Sequence, residues 1–289
     1  LWAPQYALEA NPLLALQQRR IEPMLPPIRG RRVVDVACGT GRWLSRFFTR
    51  APKSAVGLDF SFGMLKRAAE FSDLSGNLAC ADCCSLPLRD GCADLVLFSL
   101  ALDHVPDLQS FVREAARIAD DGAVLILSEF HPEAHARGWK RTFRTGDVTF
   151  ELEVTPRSLA VVDQAMQDAG FTLNVCEEPW FGDAERPLFV AAGREDLFER
   201  VRNAGPALYI SRYIRAPRTR SSIAVAELRL TNANVAVGPR QSSPQTVEIA
   251  NETIVRVGDR KGSAAGEVDL SGYLLLPGLI NAHDHLEFS

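Results

Sequence analysis

No apolar run in the sequence approaches the roughly 18 residues that cross a bilayer, so no membrane-spanning helix is expected. There is no basic start followed by an apolar stretch, so Leu1-Trp-Ala-Pro-Gln-Tyr6 does not read as a signal peptide. Charge of one sign is also missing. The 32 Lys and Arg against 36 Asp and Glu leave a net −4, which removes any general reason to expect nucleic acid or an acidic membrane as partner. A zinc pattern is absent too. Six cysteines stand at positions 38, 80, 83, 84, 92 and 176, and Cys80-x-x-Cys83 has neither a second pair nor a nearby His to complete four ligands. The better reading is a reduced, cytoplasmic protein with buried or half-buried thiols. No internal repeat marks a solenoid. Leu1 is not Met, and only four residues follow His285; both ends read as the cut ends of a fragment.

What is present is globular: 46% hydrophobic and 24% charged residues over 289 positions, enough for one large or two ordinary domains. A helix is expected at about residues 11–20. Strands are expected over Arg32–Ala37, Ser54–Asp59, Asn77–Cys80, Ala93–Ser99 and Ala123–Glu129. Helices over Arg42–Arg50, Phe62–Phe71 and Leu108–Ala119 separate them, an alternation that predicts a parallel sheet with helices on both faces. Beyond Pro132 the rhythm loosens into an excursion with a hairpin arm at Val148–Val154. A helix over Pro156–Ala169 capped by Gly170 follows, then a strand Phe171–Glu177, a helix Arg194–Arg202 and a strand Pro206–Ile214. The basic, aperiodic stretch Arg215–Ser222 reads as a solvated linker. From Glu227 the pattern becomes β, with strands expected at Leu228–Val237, Thr246–Val257 and Val268–Ile280.

Residues 33–41, Val-Val-Asp-Val-Ala-Cys-Gly-Thr-Gly, are a strand running into a glycine turn that opens a helix. Glycine serves there where a ligand approaches the backbone and where φ is positive. The turn lacks the longer G-x-G-x-x-G of dinucleotide-dependent dehydrogenases, the main rival on a similar fold, since Trp43 and Leu44 follow. Asp35 lies inside the first strand, where a carboxylate is costly to bury without partners. Asp59 ends the second strand, placed to accept from both hydroxyls of a ribose, and Asp82 follows the third, within reach of an adenine edge.

Taken in order, Asp35-Val-Ala-Cys-Gly-Thr-Gly41, Gly57-Leu-Asp59-Phe-Ser61, Met64-Leu65, Ala81-Asp82, Asp94-Leu-Val-Leu-Phe-Ser99 and Asp121-Gly-Ala-Val-Leu125 resemble the successive motifs of class I S-adenosylmethionine-dependent methyltransferases of the domain 11 type. The resemblance covers about residues 1–215. It implies a doubly wound, mostly parallel seven-stranded α/β sheet, Rossmann-like, with its last strand antiparallel. It also implies S-adenosylmethionine as cofactor and a small-molecule methyl acceptor. By that resemblance Asp35 and Gly39 bind near the methionine part, Asp59 takes the ribose, Met64 and Asp82 flank the adenine, and Ala37, Gly41, Phe60 and Cys83 also belong to the cofactor site. Ser99 stands beside the methyl group. Any catalytic base is not fixed by the resemblance. His104, in Ala101-Leu-Asp-His-Val-Pro106, follows the fourth strand and is the first candidate, against the alternative that it only orients the loop. Glu129 and His131 rank below it.

Residues 277–287, Pro-Gly-Leu-Ile-Asn-Ala-His-Asp-His-Leu-Glu, end an apolar strand in a His-x-His pair that puts His283 and His285 on one face and Asp284 on the other. Together with Leu230-Thr-Asn-Ala-Asn-Val-Ala-Val237 and Ile254-Val-Arg-Val-Gly258, this resembles the opening of the amidohydrolase superfamily: its small β domain and first barrel strand. That resemblance implies a divalent metal, zinc or iron, held by His283 and His285 in a full-length protein. The expected organisation is a methyltransferase domain at 1–215, a linker at 216–226 and an incomplete amidohydrolase-like β region at 227–289, inactive by itself. The alternative is that the methyltransferase fold is a non-catalytic cofactor-binding or scaffold module for a hydrolase of C–N bonds.

Overall fold

The computed structural model describes residues 11–145, 148–218, 226–238, 241–250, 253–258, 264–271 and 274–275. They form two units, meeting between Arg218 and Thr219.

The first unit opens with α1 (Pro12–Ile21), capped by the Asn11 side chain, which accepts from the Leu13 and Leu14 amides. Then come β1 (Arg32–Val36), α2 (Arg42–Phe48), β2 (Ser54–Asp59), α3 (Phe62–Ala68), β3 (Leu78–Cys80) and β4 (Ala93–Ser99). They are followed by α4 (Leu108–Ile118), β5 (Ala119–Phe130), α5 (Pro132–Ala136) and a small hairpin of β6 (Thr142–Thr145) and β7 (Val148–Glu151). The unit ends in α6 (Leu159–Asp168), β8 (Phe171–Glu177), α7 (Arg186–Ala191), α8 (Glu195–Val201) and β9 (Leu208–Arg215). The seven-stranded sheet runs β3-β2-β1-β4-β5-β9-β8. β1 to β5 are parallel, and β9 lies antiparallel between β5 and β8.

Period-2 alternation decides which face each strand residue serves. Leu95 and Leu97 of β4 and Ile126 of β5 pack with Leu16, Trp43, Leu44 and Phe47 on one face. Val96 and Phe98 of β4 and Leu125 and Leu127 of β5 pack with Phe111, Val112 and Met166 on the other. Helix α4 buries Leu108, Phe111, Val112, Ala115 and Ile118 at helical spacing, which is why it lies flat on that second face. At the opposite end of the sheet from the glycine turn, Arg32 clamps three strands, with Nη2 2.5 Å from Asp94 and 2.6 Å from Asp120. The guanidinium holds both carboxyls below the ordinary aspartate range.

Several boundaries depart from expectation. The helices after β1 and β2 stop earlier than their periodicity suggests, and β5 begins at Ala119 rather than Ala123. The short α5 and α7 carry no readable period. His131 caps α5, its Nδ1 accepting from the Glu133 amide at 3.1 Å. Gly170 stands just past α6 at φ 83°, the left-handed residue the sequence predicts there. Among the described residues no helix is long and apolar enough to cross a membrane.

The second unit is a five-stranded sheet centred on β10 (Ala226–Gly238). β11 (Gln241–Ala250) pairs antiparallel with it and β12 (Thr253–Gly258) antiparallel with β11, so the single strand expected at 246–257 is corrected to two strands of a hairpin. β13 (Ala264–Asp269) and β14 (Leu274–Leu275) both run parallel to β10. The strand expected over 268–280 is thus divided, and Leu274 and Leu275 pair with Asn234 and Val235. Val247 and Glu248 are buried there, and Arg229 Nη2 stands 3.3 Å from Glu248. His283, Asp284, His285 and Glu287 lie outside the described residues.

Candidate functional site

The chain builds β1, β2 and β3 outward in one direction and then returns to place β4 on the other side of β1. At such a reversal the loops leave their strands in opposite directions and open a crevice at the carboxyl ends. A cavity of about 700 Å3 occupies this place. Ala37 and Leu100, the residues that leave β1 and β4, both line it and both hold left-handed backbone, at φ 56° and 57°. Such a conformation costs a non-glycine residue about 1–2 kcal/mol.

Among the sequence-selected residues, Ala37, Gly39, Asp59, Phe60, Met64, Asp82, Cys83 and Ser99 line this cavity, and so does His104. Asp59 organises the turn that faces it. One carboxylate oxygen accepts from the Gly39 amide at 2.7 Å and the other from the Ser61 amide at 2.7 Å. Burial raises its pKa and the two amides draw it back. Asp82 accepts from the Cys84 amide at 2.8 Å, closing the turn after β3. Phe60 is 79% exposed at the rim.

Two selected residues lie elsewhere. Gly41, at φ 79°, is not in the cavity wall; a Cβ there would collide with Leu74, so its absence of side chain serves the packing of α2. Asp35 lies beneath the wall, 1% exposed, with neither carboxyl oxygen hydrogen-bonded among the described residues. Burial pushes its pKa up to about 8, against the pull of Arg42.

His104 sits on the cavity lip, at the end of a 3-10 turn Leu102–His104. Its pKa is lowered by loss of solvent and by Arg141, against a hydrogen bond to the Glu153 carbonyl and the charge of Glu129. The imidazole is therefore neutral at pH 7 and able to accept a proton. His131 and Glu129 do not line the cavity. His131 is the buried cap of α5, with Nε2 2.9 Å from Glu178. Glu129 accepts from the Phe130 amide at 2.8 Å and the Asp103 amide at 3.2 Å.

The structure also assembles groups that carry no sequence signal. Gln17 of α1, fully buried, donates to Ser99 and Ser128 at 2.6 Å each and accepts from Arg42 and, at 3.4 Å, from Trp43. This fixes Ser99 and ties the first helix to the tops of β4 and β5. Asp103 is buried against His135, 2.9 Å from its Nε2. Burial and Glu129 raise its pKa to about 7. Ser99 and Ser128 lie 82 and 111 residues from Gln17, and His135 lies 32 from Asp103, so no local spacing announces these pairs.

All six cysteines are free thiols. Asp82, Cys83 and Cys84 bring ligand atoms within 4.8 Å of one another, without Cys80. Burial pushes the Cys83 thiol up to about 12, so it is protonated at neutral pH.

Residues 34–127 match the family described as "Methyltransferase domain". The demethylmenaquinone methyltransferase of Renibacterium salmoninarum is 33% identical over 139 residues, 45% of this chain and 56% of that protein. The enzyme of the same name from Thermobifida fusca is 28% identical over 172 residues, 55% of this chain and 72% of that protein. The chain thus spans little more than half of the first relative's length. An S-adenosylmethionine-dependent methyltransferase from Mesorhizobium loti superposes with a TM-score of 0.56 over 70% of this chain and all of its own, at 22% identity. The first unit accordingly has the fold of the S-adenosylmethionine-dependent methyltransferases, and residues 34–127 are the part that is similar to their methyltransferase domain.

Proposed function

We propose that the first unit transfers a methyl group from S-adenosylmethionine to a small-molecule acceptor bound in the same cavity. The observation that carries this reading is the convergence of Gly39, Asp59, Met64, Asp82 and Ser99, from four separate strand ends, on one cavity. Relatives named for demethylmenaquinone and for malonyl-[acyl-carrier protein] support a non-macromolecular methyl acceptor group. The residues also fit the cofactor. Beneath the cavity wall lies the unpartnered Asp35 carboxyl, suited to a cationic ligand such as an ammonium group. Asp59 has lone pairs left over from its two amide bonds for ribose hydroxyls.

When bound, the cofactor supplies a methyl group already electrophilic on a sulfonium. The chain then has to position an acceptor in line and exclude water. His104, neutral at the cavity lip, takes the proton that an oxygen or nitrogen acceptor loses. In that role the rate rises with pH through a value below the ordinary imidazole one. His104→Ala is expected to lower kcat about a hundredfold while leaving S-adenosylhomocysteine affinity within about twofold. An unchanged rate assigns His104 to loop orientation only. Binding of S-adenosylhomocysteine without turnover on any acceptor favours a cofactor-binding module in place of an enzyme.

We infer further that residues 227–289 are the opening of a metal-dependent amidohydrolase. The β character of a unit distinct from the methyltransferase fold supports this. A catalytic zinc or iron takes about three protein ligands, and His283 and His285 supply two. Metal analysis of the purified 289-residue chain is expected to find no stoichiometric zinc or iron. A tightly held metal that vanishes in His283→Ala overturns that expectation.

A further inference from the structure

One cation stands in the wall of the cavity. Arg141 lines it just before β6, with a side chain 10% exposed. Its Nη1 is committed: it donates to the Leu100 carbonyl at 3.0 Å and reaches Glu129 at 3.4 Å. Among the described residues nothing accepts from its Nε or Nη2, so three of the five guanidinium N–H groups are left over. Glu129 cannot turn to meet them, because each of its oxygens is held by a backbone amide. Asp103 cannot either; its carboxyl faces His135, 2.9 Å away.

Arg157, the second guanidinium here, is spent on the carbonyls of Leu102, at 2.7 Å, and Val105, and thereby fixes the loop that carries His104. Burial and Glu129 push the pKa of Asp103 up, and its carboxyl is turned to His135. A guanidinium edge left without a protein acceptor finds its strongest partner in a charged oxygen, especially one met by two parallel N–H groups.

We propose that Arg141 anchors the methyl acceptor, and that the acceptor therefore carries an anionic oxygen, a carboxylate or an ionised hydroxyl, which the Nε–Nη2 edge receives. This rests on the methyl-transfer reading above. Beside Arg141 in the cavity wall stand Leu100, whose carbonyl it holds, Leu152, whose amide donates to its carbonyl at 2.9 Å, and His104, whose pKa its charge lowers. The anion so held lies near the one neutral imidazole in that wall. Arg141 thus acts as both a selector of charge and a stabiliser of an ionised nucleophile.

The test uses the full chain saturated with S-adenosylhomocysteine at neutral pH, titrated calorimetrically with 1-hydroxy-2-naphthoate and with its uncharged carboxamide. The acid is expected to bind about tenfold more tightly or better. Arg141→Met is expected to bring the two within about twofold, and Arg141→Lys to keep part of the preference, because the charge survives and the fork does not. S-adenosylhomocysteine affinity should be unchanged in both variants. Equal binding of acid and amide by the unaltered protein, or binding of neither, overturns the proposal. So does a roughly tenfold loss of S-adenosylhomocysteine affinity in Arg141→Met, which assigns the guanidinium to the cofactor's own carboxylate. If Arg141→Met does not fold, the acid–amide comparison in the unaltered protein and in Arg141→Lys decides. Failure of S-adenosylhomocysteine to bind the unaltered protein is a different result, and removes the methyl-transfer reading itself.

Discussion

Asp59→Ala is expected to weaken S-adenosylhomocysteine binding by about tenfold to a hundredfold, or roughly 1–3 kcal/mol, with little change in the melting temperature. Two losses combine. Ribose hydroxyls lose a charged acceptor inside a half-buried site, and the Gly39 and Ser61 amides lose the carboxylate that pins the glycine turn to the end of β2. Asp59→Asn is expected to fall between, since its single carbonyl oxygen satisfies one amide and its NH2 opposes the other. Calorimetry that finds unaltered affinity in Asp59→Ala removes Asp59 from the site and, with it, the orientation proposed for the cofactor.

The second large effect is on stability and comes from Asp35. With a folded-state pKa near 8 against an ordinary value of 3.8, the folded protein holds a proton on Asp35 that the unfolded chain has released. The stability that this proton represents is fully present below the unfolded value. It is lost as pH rises toward 8. Asp35→Asn cannot ionise. The difference in unfolding free energy between variant and unaltered protein should therefore move in the variant's favour by about 4 kcal/mol from pH 5 to pH 8, at 1.4 kcal/mol per unit. Denaturant titrations at both pH values measure it. Parallel pH dependence in the two proteins shows that Asp35 is ionised in the fold, already partnered by Arg42.

The β1–α2 junction was readable because its signals are local: an apolar run, a buried acid, two glycines and then a helical period. β2, β4 and their terminal Asp59 and Ser99 were readable for the same reason, and both strands match their expected bounds. What was not readable depends on partners far along the chain. Gln17 looks like any polar residue of an amphipathic helix until Ser99 and Ser128 are brought to it. Arg141 precedes a short hairpin with no strong pattern, and its importance comes from Leu100 and Glu129 holding only one of its nitrogens. The packing around Gly41 was equally hidden. Its place in the motif suggests ligand contact, whereas Leu74, contributed from beyond α3, occupies the space that its missing side chain leaves.

Ala37 and Leu100 take the chain out of the two central strands, β1 and β4, in left-handed backbone. That unfavourable geometry is maintained by the sheet and its packed helices, and it is met once, when the chain folds. It does not recur with each arriving molecule. The cleft between β1 and β4 is consequently a standing feature of the free protein, and encounter with a nucleoside ligand needs no prior opening of the sheet. The lifetime of the complex, more than the speed of its formation, is then where substitutions around the cavity register.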